Sequence, residues 1–128
     1  MKDRGELEQF EKLMGQLRGL HDEISLLARK SANDGVNAFK LRLINKVLAT
    51  ANAVLGPSHR PFDDFDQFDA DDVPSTSDVT MVLAQYLEEA ERYRANFVSE
   101  LYDNKWVYVI AGGITDIPAG APKKVTRK

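Results

Sequence analysis

A chain of 128 residues with 43% hydrophobic and 29% charged residues is long enough to bury a core of its own and fits one domain. It contains no cysteine, which excludes disulfides, thiolate metal sites and cysteine nucleophiles and agrees with a reducing compartment. The net charge of −3 divides into +3 over residues 1–61, −10 over 62–104 and +4 over 105–128, a layout that points to internal pairing or to a basic partner.

The first predicted helix carries Leu7, Phe10, Met14, Leu17, His21, Ile24 and Ala28 in steps of three and four, widened by Leu13, Leu20 and Leu27. That heptad-like stripe suits a helical bundle. His21 is read as a boundary histidine with a partner across the bundle. Turn formers at Ser31–Gly35 interrupt the pattern. A second helix follows over about residues 36–55. Leu41, Ile44, Leu48, Ala51 and Leu55 form one stripe; Val36, Leu43, Val47 and Val54 form another, with Phe39 near both. So wide an apolar arc predicts neighbours on two sides and a central position. Gly56-Pro57 stops the helix.

Residues 56–74 form a connection longer than bundle helices ordinarily need. Within it lies FDDFDQFDADD, in which Phe62, Phe65 and Phe68 recur every third residue. Asp63, Asp64, Asp66, Asp69, Asp71 and Asp72 fill most of the gaps. Carboxylates this close repel one another unless a cation, a basic partner or solvent relieves them. A turn started by Pro61 would place the aromatics on one side as anchors and leave the carboxylates outward. These nine residues are the predicted partner-binding surface. The cluster is no EF-hand: counted from Asp64, position 5 is Phe68, position 6 is Asp69 and position 12 is Ser75, where a carboxylate or other oxygen ligand, Gly and Glu are required. His59 is placed to pair with the aspartates.

A third helix opens at Ser75, with Asp78 three residues later as a capping pair. Its stripe runs through Val79, Leu83, Tyr86, Ala90, Tyr93, Phe97 and Leu101, and Asp103-Asn104 ends it. Glu88, Glu89 and Glu91 are read as a solvated face. Glu88-x-x-Glu91 with Glu100-x-x-Asp103 resembles the paired acidic motifs of all-helical nucleotide pyrophosphatases such as the MazG-like family. That family sets its two motifs on different helices facing each other around magnesium. Here both motifs fall on one predicted helix, so membership is not adopted. The apolar run Trp106–Ala111 has strand composition but no predicted partner strand. It is therefore expected to be a helical or extended segment packed on the bundle. It is far shorter than the ~20 residues of a membrane span. Gly112-Gly113 lacks the surroundings of a phosphate loop. The final basic residues, Lys123, Lys124, Arg127 and Lys128, read as a solubilising tail.

The expected fold is all-α: an antiparallel three-helix bundle over residues 1–113, with helix 2 central, a long acidic connection between helices 2 and 3, a short apolar C-terminal segment, and a flexible basic tail over 114–128. The N-terminal segment has no apolar signal core, and a cytoplasmic protein is expected. The expected function is that of a non-enzymatic interaction or regulatory subunit. It would engage a basic protein through the acidic-aromatic loop and pair as a homodimer through residues 106–110. No catalytic residue, cofactor or metal ligand is assigned. The alternatives are a metal-dependent phosphohydrolase-like enzyme using the Asp cluster, and a nucleic-acid-associated protein using the tail.

Overall fold

A computed structural model describes residues 1–123, which fold as three helices followed by a three-stranded antiparallel sheet. The helices are α1 (Arg4–Lys30), α2 (Ala38–His59) and α3 (Thr76–Ala95); the strands are β1 (Val98–Tyr102), β2 (Lys105–Ile110) and β3 (Gly113–Pro118). Each helix starts on a side-chain cap. Asp3 accepts from the Glu6 amide, Asn37 from Lys40 and Ser75 from Asp78, which satisfies amides that no intrahelical carbonyl can reach.

The helical core joins Phe10, Leu13, Leu17 and Ile24 of α1 to Leu41, Ile44, Leu48 and Ala51 of α2 and to Val79, Leu83, Tyr86 and Ala90 of α3, all essentially inaccessible. Of the second stripe predicted for α2, Val36, just ahead of the helix, is buried in the core, but the rest is not covered in this way. Val47 and Val54 are half-buried, whereas Leu43 is 42% and Phe39 60% exposed. Gly56, at φ +68°, kinks α2 ahead of Pro57, and one more turn follows to His59. The break predicted at Gly56-Pro57 is thus a bend inside the element.

The turn between α1 and α2 is tied to the start of α3. The Thr76 hydroxyl donates to the Ser31 and Ala32 carbonyls at 2.8 and 3.1 Å. Gly35 bridges Ser75, and the Val36 amide donates to the Pro74 carbonyl at 2.9 Å. A Cβ at Gly35 would sit 2.6 Å from Val73 Cγ1, so only glycine allows this approach.

The all-α, three-helix-bundle expectation is wrong, because the chain after α3 is a sheet in the order β1-β2-β3. The reason lies in two turns. Asp103 and Asn104 have φ of 46° and 62°, and Ala111 and Gly112 have φ of 53° and 77°. Two consecutive left-handed residues make the tight hairpin whose twist matches that of its strands. Asp103-Asn104 therefore reverses the chain where a helix end was expected. Helix α3 stops at Ala95, short of Phe97 and Leu101. The segment 106–111 has partners on both sides: Val98 and Glu100 of β1 face Tyr108 and Trp106, while Ile114 and Pro118 of β3 face Val109 and Val107. The boundary expected at residue 113 falls at the start of β3. The basic-tail reading for Lys124, Arg127 and Lys128 lies outside the described residues.

Candidate functional site

The acidic connection is fixed to α2 by Asn45 and Asn52 and braced from within by Arg60, which follows the helix. Asn45 holds both backbone groups of Phe68: its Oδ1 accepts from the Phe68 amide and its Nδ2 donates to the Phe68 carbonyl, each at 2.9 Å. Asn52 donates to the Asp66 carbonyl at 3.1 Å, and its own Oδ1 accepts from the Tyr86 hydroxyl at 2.7 Å. Arg60 donates to the Phe65 carbonyl at 3.0 Å and pairs with the Asp66 carboxylate. Burial pushes the Tyr86 phenol above its ordinary value, with Asn52 partly offsetting this, so the hydroxyl remains a donor at neutral pH.

The three phenylalanines form a continuous edge-to-face run. Phe62 and Phe65 have ring centroids 6.0 Å apart, and Phe65 and Phe68 5.0 Å, within the favoured range for aromatic pairs. Phe68 is buried in the helical core, and Phe62 and Phe65 lie half-buried against it. No helical turn begins at Pro61; a single 3-10 turn occupies Ala70–Asp72. Backbone clamps from α2, rather than a local helix, set the aromatic alignment.

All six aspartates are exposed. Asp66 is engaged by Arg60, and Asp69 accepts from the Asp71 amide at 2.9 Å. Asp63, Asp64, Asp71 and Asp72 have side chains without an ion pair among the described residues. His59 does not serve the cluster. Its ring meets Tyr93 edge-on at 5.6 Å, and Arg60 is the cation that reaches an aspartate. His21 lies 3.9 Å from Asp22 on its own helix.

Sequence reasoning missed Val73. It closes the acidic segment in the left-handed region, at φ 45° and ψ 63°, with 64% of its surface exposed. A β-branched residue is strained there. Burial offers no compensation, so its neighbours hold it: Pro74 next in the chain, and the 2.9 Å hydrogen bond from Val36 to the Pro74 carbonyl. The result is an apolar side chain held outward beside Asp71 and Asp72.

A second charged arrangement was also missed. Glu91, predicted to face solvent, is 5% exposed and forms a two-pronged ion pair with Arg94, at 2.9 and 2.8 Å. Arg94 donates further to the Gly120 and Ala121 carbonyls, and the Lys123 amide donates to Glu91. The pair therefore pins the segment after β3 onto α3. Burial pushes the Glu91 carboxyl up, but the hydrogen bonds from Arg94 and Lys123 outweigh it and hold the group below its ordinary value. The bonds to Glu91 raise Arg94 against the opposing effect of burial, with Tyr108 adding to the rise. Burial raises Tyr108, which hydrogen-bonds Arg94. The one signal in the sequence was the three-residue spacing of Glu91 and Arg94, which could equally have been a surface pair.

Glu88 and Glu91 lie on α3, while Glu100 is on β1 and Asp103 in the turn after it. The two acidic motifs therefore do not share a helix. Among the described residues, no three His, Asp or Glu side chains come together to hold a metal ion. Of the segment expected to mediate a homodimer, Val107 and Tyr108 are buried within the chain itself, leaving Trp106, Val109 and Ile110 partly accessible. No helix among the described residues is long and apolar enough to cross a membrane. A scan against protein-family models and searches of curated proteins and of solved structures each give no match.

Proposed function

We propose that this chain is a non-enzymatic, cytoplasmic interaction or regulatory subunit that binds a basic protein through the acidic connection. The observation that carries this reading is the contrast within residues 62–73. The backbone and aromatics are clamped to α2 by Asn45 and Asn52 and braced by Arg60, while the carboxylates and Val73 are exposed. A solvated linker has no use for such clamping. A recognition surface does, because a segment ordered before binding loses less entropy on association. Asp63, Asp64, Asp71 and Asp72 would steer a cationic partner, and Val73 would supply an apolar contact among them.

The test is co-purification from host cells of the wild-type chain and of a variant with Asp63, Asp64, Asp71 and Asp72 changed to Asn. A basic protein retained by the wild type, released by moderate salt and lost by the variant at unchanged melting temperature is the expected result. Identical protein profiles for the two chains would reject the reading.

A further inference from the structure

The face opposite α3 carries a groove of about 760 Å³ between α1 and α2. Its floor is apolar: Leu13 and Leu20 from α1 meet Leu43 and Val47 from α2. Those α2 residues belong to the stripe that the chain's own core covers only in part, with Val47 half-buried and Leu43 42% exposed. The groove is deepened by Gly19 on the α1 wall, where an added Cβ would meet nothing within 4 Å. Phe39, one turn before Leu43, and Leu26, one turn beyond Glu23, are 60% and 55% exposed and extend the apolar strip at one end.

Charge selects the occupant. Lys12 and Lys46 stand on opposite walls, Glu23 is the single acid in the lining, and α2 contains no Asp or Glu at all. A second copy docking by the same face would gather four lysines and only two glutamates in one contact, an excess of positive charge that an acidic partner does not bring. The chain's residues 124–128 carry three basic side chains and no acid, the wrong sign for this site. From Gln9 to Glu23 the lining follows α1 for four turns, or ~21 Å at 1.5 Å per residue. A cleft between two antiparallel helices accepts an amphipathic helix whose ridges enter it.

We infer that this groove docks an amphipathic helix of about four turns from another protein. That helix has an apolar stripe flanked by acidic residues where it meets Lys12 and Lys46, and a basic residue where it meets Glu23. The inference is independent of the acidic connection, which is held by Asn45 and Asn52 rather than by residues lining the groove and takes a partner of opposite charge.

The test uses a designed helical peptide of about 16 residues, with a leucine stripe flanked by glutamates, and a counterpart flanked by lysines. Anisotropy titration against the full chain should show the glutamate peptide binding at least about tenfold tighter. A Cβ at Gly19 meets nothing within 4 Å, so Gly19→Leu can enter the groove and should weaken that binding about tenfold or more, while replacing a mid-helix glycine should leave the melting temperature unchanged or raised. Lys12→Glu with Lys46→Glu should reverse the preference between the two peptides. Equal binding of both peptides by the wild type, or undiminished binding by Gly19→Leu, overturns the inference. So does a dimer in sedimentation equilibrium that Gly19→Leu abolishes, which assigns the face to a second copy. Laurate binding that is lost in Gly19→Leu, without glutamate-peptide binding, assigns it to a lipid chain and also overturns the inference.

Discussion

The connection 60–74 and the C-terminal segment 96–123 both lie outside the helices, and both are strapped to the bundle by polar side chains. They differ in where the charge sits. In the connection the clamps are mostly neutral amides, Asn45 and Asn52, meeting backbone groups, and the carboxylates are left in water. In the C-terminal segment the clamp is a buried ion pair, Glu91 with Arg94, whose hydrogen-bonding capacity is taken up by Gly120, Ala121 and Lys123. Solvated charge costs the fold little and remains available to a partner. A buried pair is held by its mutual bonds and becomes costly when one member is removed. The first arrangement therefore displays charge, and the second uses charge to fasten the chain.

The largest effect should come from Arg94→Ala. It leaves Glu91 buried and uncompensated, and a loss of about 3–5 kcal/mol is expected in chemical denaturation. Glu91→Leu with Arg94→Leu should recover much of that loss, because no charge is then stranded. A single Arg94→Ala change that proved silent would remove the distinction between the two regions. The pair also predicts a pH dependence. The Glu91 carboxyl is held below its ordinary value of 4.5. Its stabilisation is therefore present above that pH and lost as pH falls through the lowered value. Glu91→Gln should flatten the acid limb of a stability–pH curve.

Phe68→Ala should cost about 3 kcal/mol, because the ring is buried in the helical core. Phe65→Ala, half-exposed, should cost about 1 kcal/mol. Equal losses at the two sites would mean that the aromatic run acts as one unit. Asn45→Ala strands both backbone groups of Phe68, and a loss of about 1–3 kcal/mol is expected. Proteolysis within residues 61–72 should also become faster. If cleavage is unchanged, the aromatics alone hold the connection.

The smallest effect should follow charge removal at Asp63, Asp64, Asp71 and Asp72. Stability should stay within about 0.5 kcal/mol per site, or rise slightly as repulsion is relieved. Asp66→Asn should cost slightly more, since Arg60 loses a charged partner, whereas Asp69→Asn should not, because the Asn Oδ1 still accepts from the Asp71 amide. Thermal melts of the six single variants would sort the display residues from the structural ones.

The sequence by itself determined the helices and most of their core. Apolar side chains three and four apart can be buried together only on one helical face, and Ser75 marks where α3 begins, whereas the Asn37 cap of α2 emerged only from the structure. It also marked Phe62–Asp72 as a segment where aromatics and carboxylates must separate, as Phe68 inside and six aspartates outside now show. The sheet was not legible. Phe97 and Leu101 continue the helical spacing of α3, and Asp103-Asn104 suits a helix end as well as a tight turn. Strand pairing also depends on contacts between residues distant in sequence, so β3, with Pro118 and flanking glycines, resembled a tail until β2 lay beside it. Glu91 was read as solvated for a related reason. Helical spacing gives the direction of a side chain, but only the returning chain at Gly120–Lys123 decides whether that direction leads to water.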